Sequence, residues 1–105
     1  MKAKSFTHVI YIAGDYDKAV DVCRDYCEEG YCVSLDKTDY VYTGGMQSGV
    51  SVTLINYPPY PQSKEQIYSR AVDLGHILMG KLYQKSFTIV GPDLSYTHFK
   101  EGSGE

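Results

Sequence analysis

The stretch Asp39-Tyr-Val-Tyr-Thr-Gly-Gly-Met-Gln-Ser-Gly49 concentrates the side chains best suited to holding a ligand: two tyrosine rings, three glycines, a threonine, a glutamine and a serine. A tyrosine offers a flat apolar face and a hydroxyl. Glycines let a ligand approach the backbone, and successive free N–H groups can form a concave anion site. Thr43, Gln47 and Ser48 add neutral hydrogen-bonding groups. The spacing is that of neither a phosphate loop nor a dinucleotide fingerprint. The chemistry expected here is recognition of a flat, polar molecule. The expected ligand surface comprises Tyr40, Tyr42, Thr43, Gly44, Gly45 and Gln47, joined by Asn56, Tyr57 and Tyr60. Eleven tyrosines against three phenylalanines and no tryptophan extend this bias to the whole chain, and tyrosine suits ligand and partner surfaces.

The titratable residues give no comparable pattern. His8, His76 and His98 are too far apart for a local metal motif. Cys23 and Cys27 are four apart on a helical stripe that is otherwise apolar, where a thiol behaves as a small hydrophobe. They are expected to be buried, reduced and metal-free. Asp15, after Gly14 and before Tyr16, is placed to cap a helix; its carboxylate would occupy the N–H groups that an anion would need. No metal, no cofactor and no catalytic residue are expected. Were the chain an enzyme, Asp73 would be the candidate.

These residues need a scaffold, and hydrophobic periods supply one. Residues 6–13 read as a strand with apolar residues on both sides, which suits a central position. Ala19, Val20, Cys23, Tyr26 and Cys27 form a helical stripe within 16–29, stopped by Gly30. Residues 31–43 and 50–57 read as a hairpin whose tip is Gly44–Gly49; a parallel crossover would need a helix that 36–49 does not encode. Pro58, Pro59 and Pro61 precede a helix over 64–83, which Ser63 and Gln66 open as a capping box. Gly75 within it suits close packing on a sheet. Residues 85–91 form a fourth strand and Leu94–Lys100 a short edge strand. The order predicts an α+β, ferredoxin-like βαββαβ sandwich: an antiparallel sheet in the order 4-1-3-2 with both helices on one face. The alternative is a Rossmann-like α/β fold. One domain is expected over 1–100, with 101–105 a flexible tail. The glycine tip and the proline segment leave opposite ends of such a sheet, so all nine ligand residues meet only if the hairpin bends or a second subunit completes the site.

A net charge of −3, with ten scattered Lys and Arg, gives no footprint for double-stranded nucleic acid. No run approaches the roughly 20 apolar residues of a membrane span. Three cysteines without a secretory signal point to a reducing, cytoplasmic location. An open sheet with a tyrosine-rich surface favours a homodimer.

Two resemblances add to this reading. Val9-Ile-Tyr-Ile-Ala-Gly14, Gly30-Tyr-Cys-Val-Ser34, Ala71-Val-Asp-Leu-Gly-His76 and Phe87-Thr-Ile-Val-Gly-Pro92 resemble nucleoside 2-deoxyribosyltransferase-like proteins. That resemblance implies a parallel sheet and N-glycosidic-bond chemistry, with Asp73 where the family carries a catalytic glutamate. His8-Val-Ile-Tyr-Ile-Ala-Gly14, Thr38-Asp-Tyr-Val-Tyr-Thr-Gly-Gly45 and Leu54-Ile-Asn-Tyr-Pro58 resemble small accessory proteins of tailed bacteriophages. This second resemblance implies a non-catalytic binder that inhibits host defence by sequestering a nucleotide-like signal or a host protein, in the host cytoplasm. The alternatives are a nucleoside or nucleotide N-glycosidic-bond hydrolase or transferase, and a structural or assembly module.

Overall fold

The computed structural model describes residues 1–102; the end of the expected tail, 103–105, lies outside the described residues. Strand β1 (Thr7–Ala13) leads into helix α1 (Tyr16–Tyr26) and a 3-10 turn (Cys27–Glu29). Strands β2 (Ser34–Tyr42) and β3 (Gly45–Ile55) follow, then helix α2 (Lys64–Lys81), β4 (Ser86–Val90) and β5 (Ser95–Phe99). The sheet runs β2-β3-β1-β4-β5 and every pairing is antiparallel. The fold is the ferredoxin-like α+β arrangement, with β1 in the centre and β5 on the edge. The Rossmann-like alternative is excluded: residues 34–42 pair with β3, not in parallel with β1.

Local signals explain the boundaries. The Asp15 carboxylate accepts the Lys18 N–H at 2.8 Å, and Gly30 takes a left-handed φ of 103° after the 3-10 turn. Ser63 and Gln66 complete a reciprocal capping box at the start of α2. The chain reverses between β2 and β3 in two residues, Thr43 and Gly44, with Gly44 at φ 86°.

The long glycine tip expected over 44–49 is corrected by this turn. Gly45 through Gly49 belong to β3 and pair with Tyr42 through Thr38. The ladder satisfies more backbone groups than an open loop would. Two tyrosines cover the missing side chains: a Cβ on Gly45 would lie 2.9 Å from the Tyr42 ring, and one on Gly49 would lie 2.5 Å from the Tyr40 ring. An anion nest over 44–49 is excluded for the same reason, since N–H groups alternate direction along a strand instead of converging.

One face of the sheet carries the core. Ile10, Ile12, Val50, Val52, Leu54, Phe87 and Ile89 are buried against Ala19, Val22 and Cys23 of α1 and Ile67, Ala71, Leu74 and Leu78 of α2. Each buried aliphatic side chain stabilises the fold by roughly 1.5–3 kcal/mol. In α1 the buried position is Val22, with Val20 only half-buried, so the stripe is rotated from the expected one. Cys23 is buried as expected, Cys27 half-buried and Cys32 exposed. Gly75 meets Phe87 so closely that no Cβ would fit, which explains a glycine inside α2. No described helix is long and apolar enough to cross a membrane.

The opposite face of the sheet has no helix over it. Thr7, Val9, Tyr11 and Ala13 of β1, Ser51, Thr53 and Ile55 of β3, and Thr88 and Val90 of β4 alternate with the buried residues and line that face.

Candidate functional site

Tyr40 and Gln47 stand directly opposite each other in the β2–β3 ladder. The Tyr40 ring crosses Gly49 and its hydroxyl donates to the Val50 carbonyl at 2.7 Å. Tyrosine at 40 and glycine at 49 therefore work as a unit: the glycine provides the gap in which the ring lies along the sheet. Burial pushes the Tyr40 hydroxyl above its ordinary pKa; a backbone hydrogen bond from the Ile12 side opposes this, and neighbouring Tyr11 adds to it. Tyr40 is neutral throughout the physiological range.

A cleft of about 250 Å³ opens here on the uncovered face, lined by Tyr11, Ile12, Ala13, Tyr40, Gln47, Gln84, Ser86, Phe87 and Thr88. Its polar groups are hydroxyls and carboxamides; no carboxylate, amine or imidazole lines it. Such a surface can stack on a ring, face a cation with tyrosine π-electrons and orient a substrate by hydrogen bonds. It has no base to remove a proton. Sequence reasoning missed Tyr11, Gln84, Ser86 and Thr88, which reach the cleft from β1, β4 and the segment before β4. Alternation in 7–13 assigned Tyr11 to the face opposite Ile10 and Ile12, and that was the one available signal.

The other expected ligand residues divide into separate places. Tyr42 is 54% exposed beside Gly45, next to the Thr43-Gly44 turn. Asn56, Tyr57 and Tyr60 follow the far end of β3, roughly 27 Å from Gln47 along the strand at ~3.4 Å per residue. Asn56 is buried, its amide donating to the Lys4 carbonyl and its oxygen accepting the Gln62 N–H, both at 2.8 Å. Those bonds tie the proline segment to the N-terminus and leave its side chain little capacity for a ligand. The rings of Tyr57 and Tyr60 stack on each other, 6.3 Å apart. Asp73 is exposed on α2 and lines none of the clefts described.

Tertiary structure also gathers the three histidines that the sequence scatters. Tyr68 on α2 hydrogen-bonds its hydroxyl to His98 Nε2 at 3.1 Å and has the His8 ring on another side at 6.0 Å. His98 stacks on Phe87 at 5.0 Å and meets His76 at 5.7 Å. Burial holds His98 below its ordinary pKa, helped by His76. His8, buried with no partner for Nδ1, is also held low by burial; Asp93 opposes this and Lys64 reinforces it. Among the described residues no group of three or more His, Cys, Asp or Glu is arranged to hold a metal ion.

No family model matches this chain, and no curated protein matches it in sequence. Two solved structures share its fold over nearly its whole length. A phage SAM lyase in the apo state superposes with a TM-score of 0.69 at 20% identity, covering 94% of this chain and 92% of the other. A phage SAM lyase in complex with S-methyl-5'-thioadenosine superposes with a TM-score of 0.63 at 17% identity, covering 99% and 96%. Both are phage proteins, which supports the resemblance to phage accessory proteins; the deoxyribosyltransferase resemblance finds no support in them or in the antiparallel sheet. One of them holds a small nucleoside, the kind of molecule expected from the tyrosine-rich surface. The expectation of a non-catalytic, sequestering protein is overturned by these neighbours, since both are SAM lyases and therefore enzymes.

Proposed function

We propose that this chain cleaves S-adenosyl-L-methionine (SAM) at the Tyr11–Tyr40–Gln47–Thr88 cleft, releasing S-methyl-5'-thioadenosine. The observation that carries the reading is the cleft's chemistry: aromatic and neutral hydrogen-bonding groups without an acid or a base. That inventory suits this bond cleavage. The sulfonium sulfur takes the C–S electron pair and departs as a neutral thioether, so no general acid is needed. Without water, two routes remain for the four-carbon remainder. A base could remove a Cβ proton and leave an alkenyl amino acid, or the substrate's own carboxylate could attack Cγ and close a five-membered lactone. The lining residues offer no base, and the Tyr40 proton is held by its bond to Val50. The lactone route needs the substrate only to be folded and desolvated, which is positioning work.

Tyr11 and Tyr40 present π-faces to the sulfonium and the adenine, while Gln47, Ser86 and Thr88 orient the carboxylate and ammonium groups. The net charge of −3, with Asp36 on the same face opposite Ser51, favours approach of a substrate carrying net positive charge. Depleting a methyl donor in the host cytoplasm accords with an anti-defence role. A homodimer belongs to the same proposal: Ile55, Val90 and Phe99 leave the uncovered face with apolar surface that a second copy would bury beside the cleft.

The test is incubation of the purified chain with SAM and mass spectrometry of the products. S-methyl-5'-thioadenosine and homoserine lactone are expected in equal amounts, above a heat-denatured control. Gln47→Ala is expected to lower kcat/KM by about tenfold or more, the loss of one to two hydrogen bonds to a charged substrate. No product above the control would refute the activity. Full activity in Gln47→Ala and Tyr11→Ala would move it away from this cleft.

A further inference from the structure

We propose that the far end of the sheet carries a second binding site, for a planar ring bearing a phosphate or carboxylate, of which a nucleoside monophosphate is the representative. A cleft of about 230 Å³ lies there between the proline segment, the residues that precede β2, and α2. Tyr31, Tyr57, Tyr60, Gln62 and Arg70 are its functional lining, and no acidic side chain lines it.

The segment that forms one wall is set in advance. Asn56 fixes its two ends to the Lys4 carbonyl and the Gln62 N–H, and the Tyr60 N–H donates to the Tyr57 carbonyl at 2.9 Å. With Pro58, Pro59 and Pro61 restricting φ, the Tyr57 and Tyr60 rings are held nearly parallel, 22° apart. Tyr60 is 73% exposed, so most of this aromatic surface stays open despite its stacking on Tyr57.

The opposite wall supplies the charge. Arg70 Nε donates to Gln62 Oε1 at 3.2 Å, and the guanidinium lies 4.3 Å over the Tyr31 ring. Two supports thus fix its plane, yet it forms no ion pair among the described residues, whose ion pairs are Arg24–Asp21 and Lys64–Asp93. The Tyr26 hydroxyl, which donates to the Arg70 carbonyl at 3.4 Å, is a neutral hydrogen-bonding neighbour of the guanidinium. An oriented guanidinium without a carboxylate partner, beside an aromatic pair, matches a ring on the tyrosines and an anionic oxygen pair on the arginine. This site does not rest on the SAM reading, and β3 separates the two.

The test is isothermal titration of the full chain with AMP, adenosine and inorganic phosphate. AMP is expected to bind at least about tenfold more tightly than adenosine, from the charge-assisted pair. Arg70→Gln should reduce AMP to the affinity of adenosine, and Tyr60→Ala should weaken both by about tenfold. Tyr60 is exposed, so that variant decides the matter even if Arg70→Gln folds poorly. Equal affinity for AMP and adenosine, or no heat from AMP at millimolar concentration, would overturn the proposal. So would AMP binding that is lost in Gln47→Ala and kept in Arg70→Gln, since the ligand would then occupy the other cleft.

Discussion

Replacing Gly49 with alanine tests the packing that holds Tyr40 on the uncovered face. Gly49 is not among the glycines with positive φ, so an alanine meets no backbone strain. Restricting the unfolded chain would by itself favour the variant by about 0.5–1 kcal/mol. Sterics oppose this: the new Cβ would lie 2.5 Å from the Ile12 carbonyl oxygen and 2.5 Å from Tyr40 Cε2. The ring can swing away, but the carbonyl belongs to the central strand and moves only if β1 and β3 separate. Overpacking of this kind costs about 1–3 kcal/mol. A displaced ring also loses the 2.7 Å bond to Val50, another ~0.5–1.5 kcal/mol. Destabilisation therefore wins, by about 1–3 kcal/mol net. Urea unfolding of the wild type, Gly49→Ala, Tyr40→Ala and the double variant measures it. The cycle should show coupling of about 1 kcal/mol, because Gly49→Ala costs less once the ring is gone, while the Ile12 contact remains in both backgrounds. A Gly49→Ala variant as stable as the wild type, or a cycle without coupling, would refute the reasoning.

Three further outcomes follow from burial and charge. His8 has a folded-state pKa below its unfolded value of about 6.5, so the unfolded chain binds the extra proton. Stability should be complete above that value and fall as the pH drops toward the folded pKa, with His8→Leu flattening the acid limb of a stability–pH curve. Of the thiols, Cys32 is exposed while burial, and then Cys27, pushes Cys23 up to about 12. Alkylation at pH 8 followed by peptide mapping should mark Cys32 first and Cys23 only on unfolding; early labelling of Cys23 would contradict the core placement. Light scattering should give a mass above the 11.8 kDa monomer, and Ile55→Lys together with Phe99→Lys should return it to the monomer; a monomer at all concentrations would reject the dimer.

Much of the architecture is legible in residues close together in the chain. Asp15, the Ser63–Gln66 pair and Gly30 act on backbone groups within four residues of themselves, so their roles follow from order alone. The period of two in 7–13 and of 3.6 in 64–81 selects the faces that meet in the core, and the lack of a helical stripe in 36–49 forces the antiparallel hairpin. The glycine tip was misread because a strand of glycines is stabilised from across the ladder, by Tyr40 and Tyr42, and not by its own side chains. The clefts are of the same kind. Tyr11 meets Tyr40 and Gln47, Arg70 meets Tyr57 and Tyr60, and Tyr68 gathers His8 and His98 only because β1 lies between β3 and β4, with α2 laid over the sheet. The proposed cleavage, which asks only for positioning, would leave no spaced motif to read. The sequence alone could determine a sheet with one covered face and a surplus of tyrosine. Which tyrosines share a cleft was decided by strand register, because register sets neighbours across tens of residues and local periodicity does not encode them.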